Sequence, residues 1–517
     1  MRYDDGIYDA IYALITHNIK KISEPILKEQ DVKTLLNDQN FVDDLCGENN
    51  ENFRNILNPF LNEGEILQEA CDLPVIPKIK TIYGRLIKNE ESKNSEYYVF
   101  CALTKEMIEV DKLYFDSEHQ LASVLDLLYK PYFFYLVLDQ SQNLNIEDNI
   151  WYEFEIIKEN DNDTEEQSSP SGDHGFQWKK KHDEYVLNGY LSFSASKTKY
   201  ECIKAKLRGK ADKLLFPKII TRYPVKPAIR KDITKPFRKM FYSVAKSNVR
   251  VYRVGQANAV SGTNCKKGKF HNFAFDLGYP KSNNILLTSK RDAVDKDRSY
   301  TWESDDVSAL KPELIMISHW DYDHFMSAVT LDNSVFIGPK AAVWLAPCYE
   351  YGRYKDYNID RLIAFLIKLN LIFFVPNDFK CRTGAYRLCC GTGARNKRDI
   401  NSRGLILLLN KTLLTGDCDC QFWPEYITKN ASELQYLTVP HHGSKKKFNK
   451  TISQTIVGSM FTKKTNLEKK AVICVGRNMD GHPDIDVTDF YEKDENFKIV
   501  RTDDAKNKSI KIEIIDL

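Results

Sequence analysis

The sequence predicts an α/β protein whose second half is a layered domain with a chemical site along one sheet edge. Three observations carry that expectation. From Val249 onward, short apolar runs recur and each ends in Asp, His or Gly: Val249–Gly255, Phe273–Asp276, Leu314–His319, Leu405–Asp417, Tyr436–His442, Ala471–Gly476 and Ile510–Ile515. Between them lie stretches with apolar residues at helical spacing, notably Asp360–Leu369. Strands alternating with helices, with polar residues gathered at strand ends, are the pattern of a layered α/β domain. Finally, 517 residues with 42% hydrophobic content allow several packed cores, or about three units at ~150 residues per domain.

Taken in order, residues 1–200 form a mixed α/β region. Ile7–Ile22 and Glu118–Tyr129 carry helical periodicity, and Tyr97–Leu103 and Tyr132–Leu138 have the apolar content of strands. Its first 155 residues hold only two histidines, His17 and His119, both isolated, so no site chemistry is expected there. Asn160–Gly172 (NDNDTEEQSSPSG) is acidic and serine-rich, the composition of a solvated loop or linker. Residues 201–248 form a basic connector. Between Lys204 and Arg250 fifteen Lys or Arg face only Asp212 and Asp232, with aromatic residues and prolines interleaved. Two readings stand for this segment, a track for a polyphosphate backbone or a solvated connector. Residues 249–517 form the layered domain, and no internal repeat is apparent.

Composition excludes several classes. With 74 Lys and Arg against 72 Asp and Glu, the chain is neither a polyacidic nor a polybasic tail protein. Twelve scattered cysteines without a CxxC pair fit reduced thiols, not a secreted disulfide scaffold. MRYDDGIYDAIYALI has acids where a signal peptide carries bases, and no apolar run approaches the ~20 residues of a membrane helix. A soluble, cytoplasmic protein is expected, with no membrane partner.

Chemistry is concentrated in four motifs. Leu314–Ile317 runs through Ser318 into His319-Trp-Asp321-Tyr-Asp323-His324, four metal-competent side chains within six residues just past a strand. Leu413-Leu-Thr-Gly416-Asp417 places a carboxylate at a second strand end, and Leu437-Thr-Val-Pro-His441-His442-Gly443-Ser444 places paired histidines at a third. Val472–Pro483 adds Asn478 and His482 in a glycine-bounded loop. Five of the ten histidines fall in these motifs, a concentration that packing does not explain.

The order HxDxDH, TGD, VPHHGS and VGxN…GHP resembles the metallo-β-lactamase fold, an αββα sandwich. It is closest to the branch holding the nuclease domain of ComEC-type DNA-uptake proteins and the phosphorylcholine esterases. Val254-Gly255-Gln256-Ala257-Asn258-Ala259 is similar to that branch's VGQGDA opening, with Ala257 and Asn258 in place of glycine and aspartate, and Phe275-Asp276-Leu277-Gly278 to its strand-ending Asp-x-Gly. The resemblance implies a first metal on His319 and Asp321, a second on Asp323, His324 and His442, and Asp417 bridging them. Water, His441 or a thiol such as Cys389 would complete the first site, while Cys381, Cys389 and Cys390 otherwise read as packing residues.

The implied chemistry is hydrolysis by a metal-activated water. Two cations lower the pKa of a shared water towards ~7 and neutralise phosphodiester oxygens. Asp321, in place of a second histidine, favours Mn²⁺ or Mg²⁺ relative to Zn²⁺. Asp323 would orient the water, His441 would support the first metal or the substrate, and His482 would donate to a phosphate oxygen or the leaving group. Ser444, Lys445 and Asn478 would contact substrate. These expectations add up to a soluble metal-dependent phosphodiesterase, foremost a nuclease acting on DNA or RNA. DNA uptake is not the expected role, since the sequence carries no segment like the transporters' membrane channel. The alternatives are a small-molecule phosphodiesterase acting on a cyclic nucleotide or a phosphorylcholine ester, and a nucleic-acid-binding regulatory module. β-Lactam or thioester hydrolysis is disfavoured by Asp321. The N-terminal region would recognise substrate, recruit a protein partner or inhibit the enzyme.

Overall fold

The computed structural model describes residues 81–87, 97–116, 133–139, 146–147, 149–157, 179–181, 184–194, 199–211, 219–244, 246–252, 257–278, 310–331, 335–336, 341–352, 356–393, 400–431, 434–446, 448–460, 468–475, 482–495, 497–502 and 509–515. The expected helices at Ile7–Ile22 and Glu118–Tyr129 and the linker at Asn160–Gly172 lie outside them, as does Asn478. It is a mixed α/β structure with three sheets, divided into two compact units. Among the described residues, no helix is long and apolar enough to cross a membrane.

The first unit comprises the described residues up to Pro224 together with the stretch Tyr351–Phe365. Its strands are β1 (Thr81–Leu86), β2 (Tyr97–Thr104), β3 (Phe133–Asp139), β4 (Trp151–Ile157), β5 (Lys179–Lys181), β6 (Glu184–Ser194) and β7 (Lys199–Lys210). The order is β3-β2-β1-β4-β7-β6-β5, and β3 also pairs with β6, so six antiparallel strands close on themselves. Ile82, Phe100, Leu136 and Phe154 fill the centre. The helix Tyr357–Lys368 gives its first nine residues to this unit. Arg361 forms a fully buried ion pair with Asp111 at 2.7 Å, and Tyr135 donates to Asp356 at 2.9 Å. The expected boundary at residue 249 therefore shifts in two ways. The units divide between Pro224 and Val225, and Tyr351–Phe365 belongs with the first.

The second unit carries two sheets. One contains β8 (Lys246–Tyr252), β9 (Ala259–Lys266), β10 (Lys269–Leu277), β11 (Leu314–Met316), β12 (Val343–Pro347), β13 (Ile372–Val375) and β21 (Ser509–Ile515), in the order β13-β12-β11-β10-β9-β8-β21. The other runs consecutively through β14 (Lys380–Thr383), β15 (Tyr386–Cys390), β16 (Leu405–Leu409), β17 (Thr412–Leu414), β18 (Tyr436–Thr438), β19 (Lys470–Ile473) and β20 (Lys498–Arg501). Alternate residues of both sheets, among them Val249, Phe273, Met316, Leu388, Leu407 and Val472, form one shared core. On the other face of the second sheet, Ile406, Leu408, Ala471 and Ile473 pack with Ile427, Val457, Met460 and Phe490 from helical segments.

The basic segment is not a plain connector. Its first part ends β7, and Arg230–Phe241 is a helix whose Ile233, Phe237, Met240 and Phe241 are buried in the shared core. Those four residues at i, i+4, i+7 and i+8 are an amphipathic stripe, which the count of charges had masked. The single run Leu405–Asp417 also resolves into two strands, since Asn410 adopts φ 49° and turns the chain into a hairpin.

Strand direction sets the site. β10 and β11 are parallel, as are β17, β18 and β19. Their C-terminal ends therefore share an edge in each sheet, and the HxDxDH, TGD and VPHH segments all begin there.

Candidate metal centre

The HxDxDH loop is anchored by its tryptophan. Trp320 is 3% exposed, donates its indole N–H to the Pro347 carbonyl at 2.8 Å and packs against Phe325 and Tyr349. His319 and Asp321 flank it, and Asp323 and His324 lie on the short helix Tyr322–Phe325. The backbone of Asp323 reaches across to the first strands, where its carbonyl accepts the Asn258 N–H at 2.9 Å. Gly278 makes this approach practicable, since a Cβ there would sit 1.7 Å from the Asp323 carbonyl oxygen.

Asp417 is brought in by β17. Gly416 before it adopts φ +52°, and a Cβ there would lie 2.4 Å from the Ser318 hydroxyl oxygen. Thr415 ties β17 to β18: its N–H donates to the Thr438 hydroxyl at 3.0 Å and its hydroxyl to the Thr438 carbonyl at 2.8 Å. After β18 comes the histidine pair, with φ of 51° at His441 and 53° at His442. Two consecutive non-glycine residues in the left-handed region cost about 1–2 kcal/mol each. That cost turns both rings onto Asp417.

The groups converge on the two oxygens of that carboxylate. Asp417 Oδ1 lies 3.1 Å from His324 Nε2 and 3.6 Å from His442 Nε2, whose ring nitrogen is in turn 3.3 Å from Asp323 Oδ2. Asp417 Oδ2 lies 3.8 Å from both His319 Nε2 and His441 Nε2, and His319 Nε2 is 3.2 Å from Asp321 Oδ2. His319, His324 and Asp417 form one set able to hold a cation, and Asp323, His324 and His442 another. All but Asp321, Asp323 and His441 are essentially buried, with Asp321 the most open at 35% exposure.

The ring nitrogens facing away from the cluster fix the tautomers. His442 Nδ1 is 3.2 Å from the Cys474 carbonyl, which can only accept, so Nδ1 carries a proton and Nε2 faces inward. His324 Nδ1 is 2.8 Å from Asp276 Oδ2, to the same effect. Asp276 is itself fully buried and accepts from the Ser318 N–H at 2.6 Å and the Ser318 hydroxyl at 2.8 Å. Asp276 and Ser318 were not among the candidate site residues. In the sequence Asp276 stands out only within the strand-ending Asp-x-Gly that Phe275–Gly278 resembles, with no site role attached to it. Asn258, standing where the resembled branch has aspartate, sits 3.5 Å from His324 Nδ1, and Asn401 donates to Asp417 Oδ2 at 3.3 Å.

Protonation follows from these distances. Burial pushes His324 and His442 down, but the facing carboxylates, Asp417 above all, outweigh it and hold both above the ordinary 6.5. Burial pushes Asp417 and Asp323 up, and the facing imidazoles, led by His324, hold both below the ordinary 3.8. His441 goes the other way: burial lowers it, and Asp417 restores only part of the loss.

The donor set fits divalent cations. His324 Nε2, His442 Nε2 and Asp417 Oδ1 are buried and face one another as ion pairs, yet none makes a well-aligned hydrogen bond among the described residues, a costly arrangement unless something completes it. Imidazole and carboxylate at the observed spacing are what a hard or borderline divalent ion takes. No sulfur joins either set. Cys389 is buried on the helix-covered face of the second sheet with its thiol pushed up by burial, and Cys381 and Cys390 lie in the shared core, each pushed up to about 12.

The remaining candidates are placed less uniformly. The His482 ring stands 6.1 Å from that of His441, centroid to centroid, at the rim of the cluster. Ser444 is buried, its hydroxyl accepting the Lys446 N–H at 3.3 Å. Lys445 is exposed and paired with Asp486. No protein-family model matches this chain, and no curated protein matches it in sequence.

Proposed function

We propose that this protein is a metal-dependent phosphodiesterase of the metallo-β-lactamase fold, and that its substrates are nucleic acids. The observation that carries the reading is the two-sided Asp417, with the His324 and His442 rings at one oxygen and the His319 and His441 rings at the other, while Asp323 faces His442 and Asp321 faces His319. Two sheets sharing a core, with the motif residues at the ends of parallel strands, support the fold assignment.

The residues divide the work. His319, Asp321, Asp323, His324, His442 and Asp417 would hold two divalent ions, with Mn²⁺ favoured over Zn²⁺ by the carboxylate of Asp321. The chemistry such a centre supplies is a water acidified towards neutrality and cationic charge against the phosphate oxygens. Asp323, 3.3 Å from the His442 ring nitrogen and partly open to solvent, would orient the attacking water. His441, held neutral by its lowered pKa, accepts or shares a proton at the rim, and His482 beside it donates towards the leaving oxygen. Lys445, already paired with Asp486, leaves less cationic charge at the rim, and that one observation favours a small phosphodiester such as a cyclic nucleotide as the second reading.

The test is turnover by chelated and reconstituted protein against single- and double-stranded DNA, RNA, cyclic nucleotides and bis(p-nitrophenyl) phosphate. The proposal expects loss on chelation, recovery better with Mn²⁺ than with Zn²⁺, and cleavage of at least one nucleic acid. Turnover of the cyclic nucleotide alone would select the second reading, and no turnover with stoichiometric metal would reject both.

A further inference from the structure

The helix Arg230–Phe241 buries one face in the shared core and leaves Arg230, Lys231, Lys235, Arg238 and Lys239 exposed on the other. Beside it runs β14, an edge strand whose residues alternate: Cys381 and Thr383 point inward, Lys380 and Arg382 outward. Between helix and strand lies a cavity of about 520 Å³ lined by Arg230, Arg238, Lys380, Arg382 and Tyr426, with Asp378 its one carboxylate. The Arg230 guanidinium is held in place, donating to the Lys380 carbonyl at 2.6 Å and lying 5.7 Å over the Phe379 ring. Among the described residues, neither Arg238 nor Arg382 forms an ion pair. The Cys381 thiol in the wall stays neutral, since burial pushes it up to about 12 despite Arg230 and Arg238 nearby. Four fixed or poised cations around one acid, with an aromatic wall, is an arrangement for phosphate.

The strand registers place this cavity relative to the metal cluster. Lys380 pairs with Cys389, Cys389 with Ile406, and the next residue, Leu407, with Leu414. Lys380 is thus level with Thr415, two residues before Asp417. The separation is three strands, roughly 14 Å at ~4.8 Å per strand. A nucleic-acid strand covers that distance within a few nucleotides.

We propose that this cavity is a second phosphate-binding site, which grips the backbone of a nucleic-acid strand several nucleotides from the phosphate at the metal cluster. The proposal rests on the nuclease reading above and names how that enzyme would select long substrates. It also separates the basic segment's two parts: Arg230 and Arg238 contribute to the site, whereas the basic residues of β7 lie in the other unit.

The test uses the full chain and the double variant Arg238→Ala/Arg382→Ala, with Arg238→Lys/Arg382→Lys as the charge-preserving control. Binding of a fluorescent 12-nucleotide DNA in EDTA is followed by anisotropy at several salt concentrations. The alanine variant should bind about tenfold more weakly, with a log–log salt slope shallower by up to ~1.4, at ~0.7 per lost single-strand phosphate contact. The lysine variant should retain most of the affinity. With metal restored, the preference for the 12-mer over a dinucleotide should fall by a similar factor. Unchanged affinity and slope would overturn the proposal. So would a mononucleotide displacing the 12-mer at equal affinity, which would mark a free-nucleotide site. Weakened strand binding without any nucleic-acid cleavage would uphold the polyanion site and reject the nuclease reading instead.

Discussion

Around Asp417, charged side chains are buried, face one another at 3.1–3.8 Å and leave inward-pointing nitrogens and an oxygen unsatisfied. Along the Arg230–Phe241 helix, the charges stand in solvent and the helix is held by its apolar underside. The two regions lie in one unit and both are rich in ionisable residues, yet they obey opposite rules. Desolvated charges cost several kcal/mol unless completed, so each member of the cluster is individually indispensable. Solvated charges cost little and contribute little singly, so they act only as a group.

Substitutions can break or sharpen that contrast. The largest effect is expected at the cluster: Asp417→Ala or His324→Ala should lower kcat/KM by more than ~1,000-fold, beyond the ~10–100-fold typical of outer partners of a metal ligand. Far-ultraviolet circular dichroism should remain native, because the strands supply the packing; full activity with unchanged metal content would discard the assignment. Asp276→Asn comes next. It keeps a hydrogen-bonding side chain against His324 but removes the charge, and should weaken metal affinity by ~10–100-fold in a calorimetric titration. On the helix, Phe237→Ala should destabilise by about 3–5 kcal/mol in urea, whereas Lys235→Ala should stay within about 0.5 kcal/mol. Similar losses from the two would mean that the helix is not anchored by its apolar face.

The smallest effect is graded with pH. His324 and His442 have folded pKa values above 6.5, so in metal-free protein their stabilising contribution is complete below that value and is lost as pH rises through the folded ones. Asp323 and Asp417, held low, contribute above 3.8 and lose that contribution only as pH falls through their folded values. Cation binding must displace the imidazole protons, so metal affinity rises with pH. The difference in Tm between metal-loaded and chelated protein should therefore widen from pH 6 to pH 8. A constant difference would show that no proton leaves on binding.

Sequence reading reached the cluster because its ligands are packed into short motifs at strand ends: His319 to His324 span six residues, and His441 and His442 are adjacent. It did not reach the role of Asp276, whose partners Ser318 and His324 are 42 and 48 residues away, nor the Cys474 carbonyl, which any residue could supply. Strands such as β2 were legible from their apolar content, whereas their closure into a ring depends on β3 meeting β6, a pairing no local pattern encodes. The tie of Tyr351–Phe365 to the first unit runs through pairs distant in sequence, Arg361 with Asp111 250 positions earlier and Asp356 with Tyr135. Even the helix at Arg230–Phe241 was concealed, because its buried residues are only four among twelve.

The central claim is that Asp417 stands between two cation positions. Metal content of the purified chain by inductively coupled plasma mass spectrometry, with and without Asp417→Ala, tests it most directly. The account predicts about two divalent ions per chain in the natural protein after saturation with Mn²⁺ and gel filtration, and less than one in the variant. Substoichiometric metal in both proteins, or two ions retained in Asp417→Ala, would contradict it.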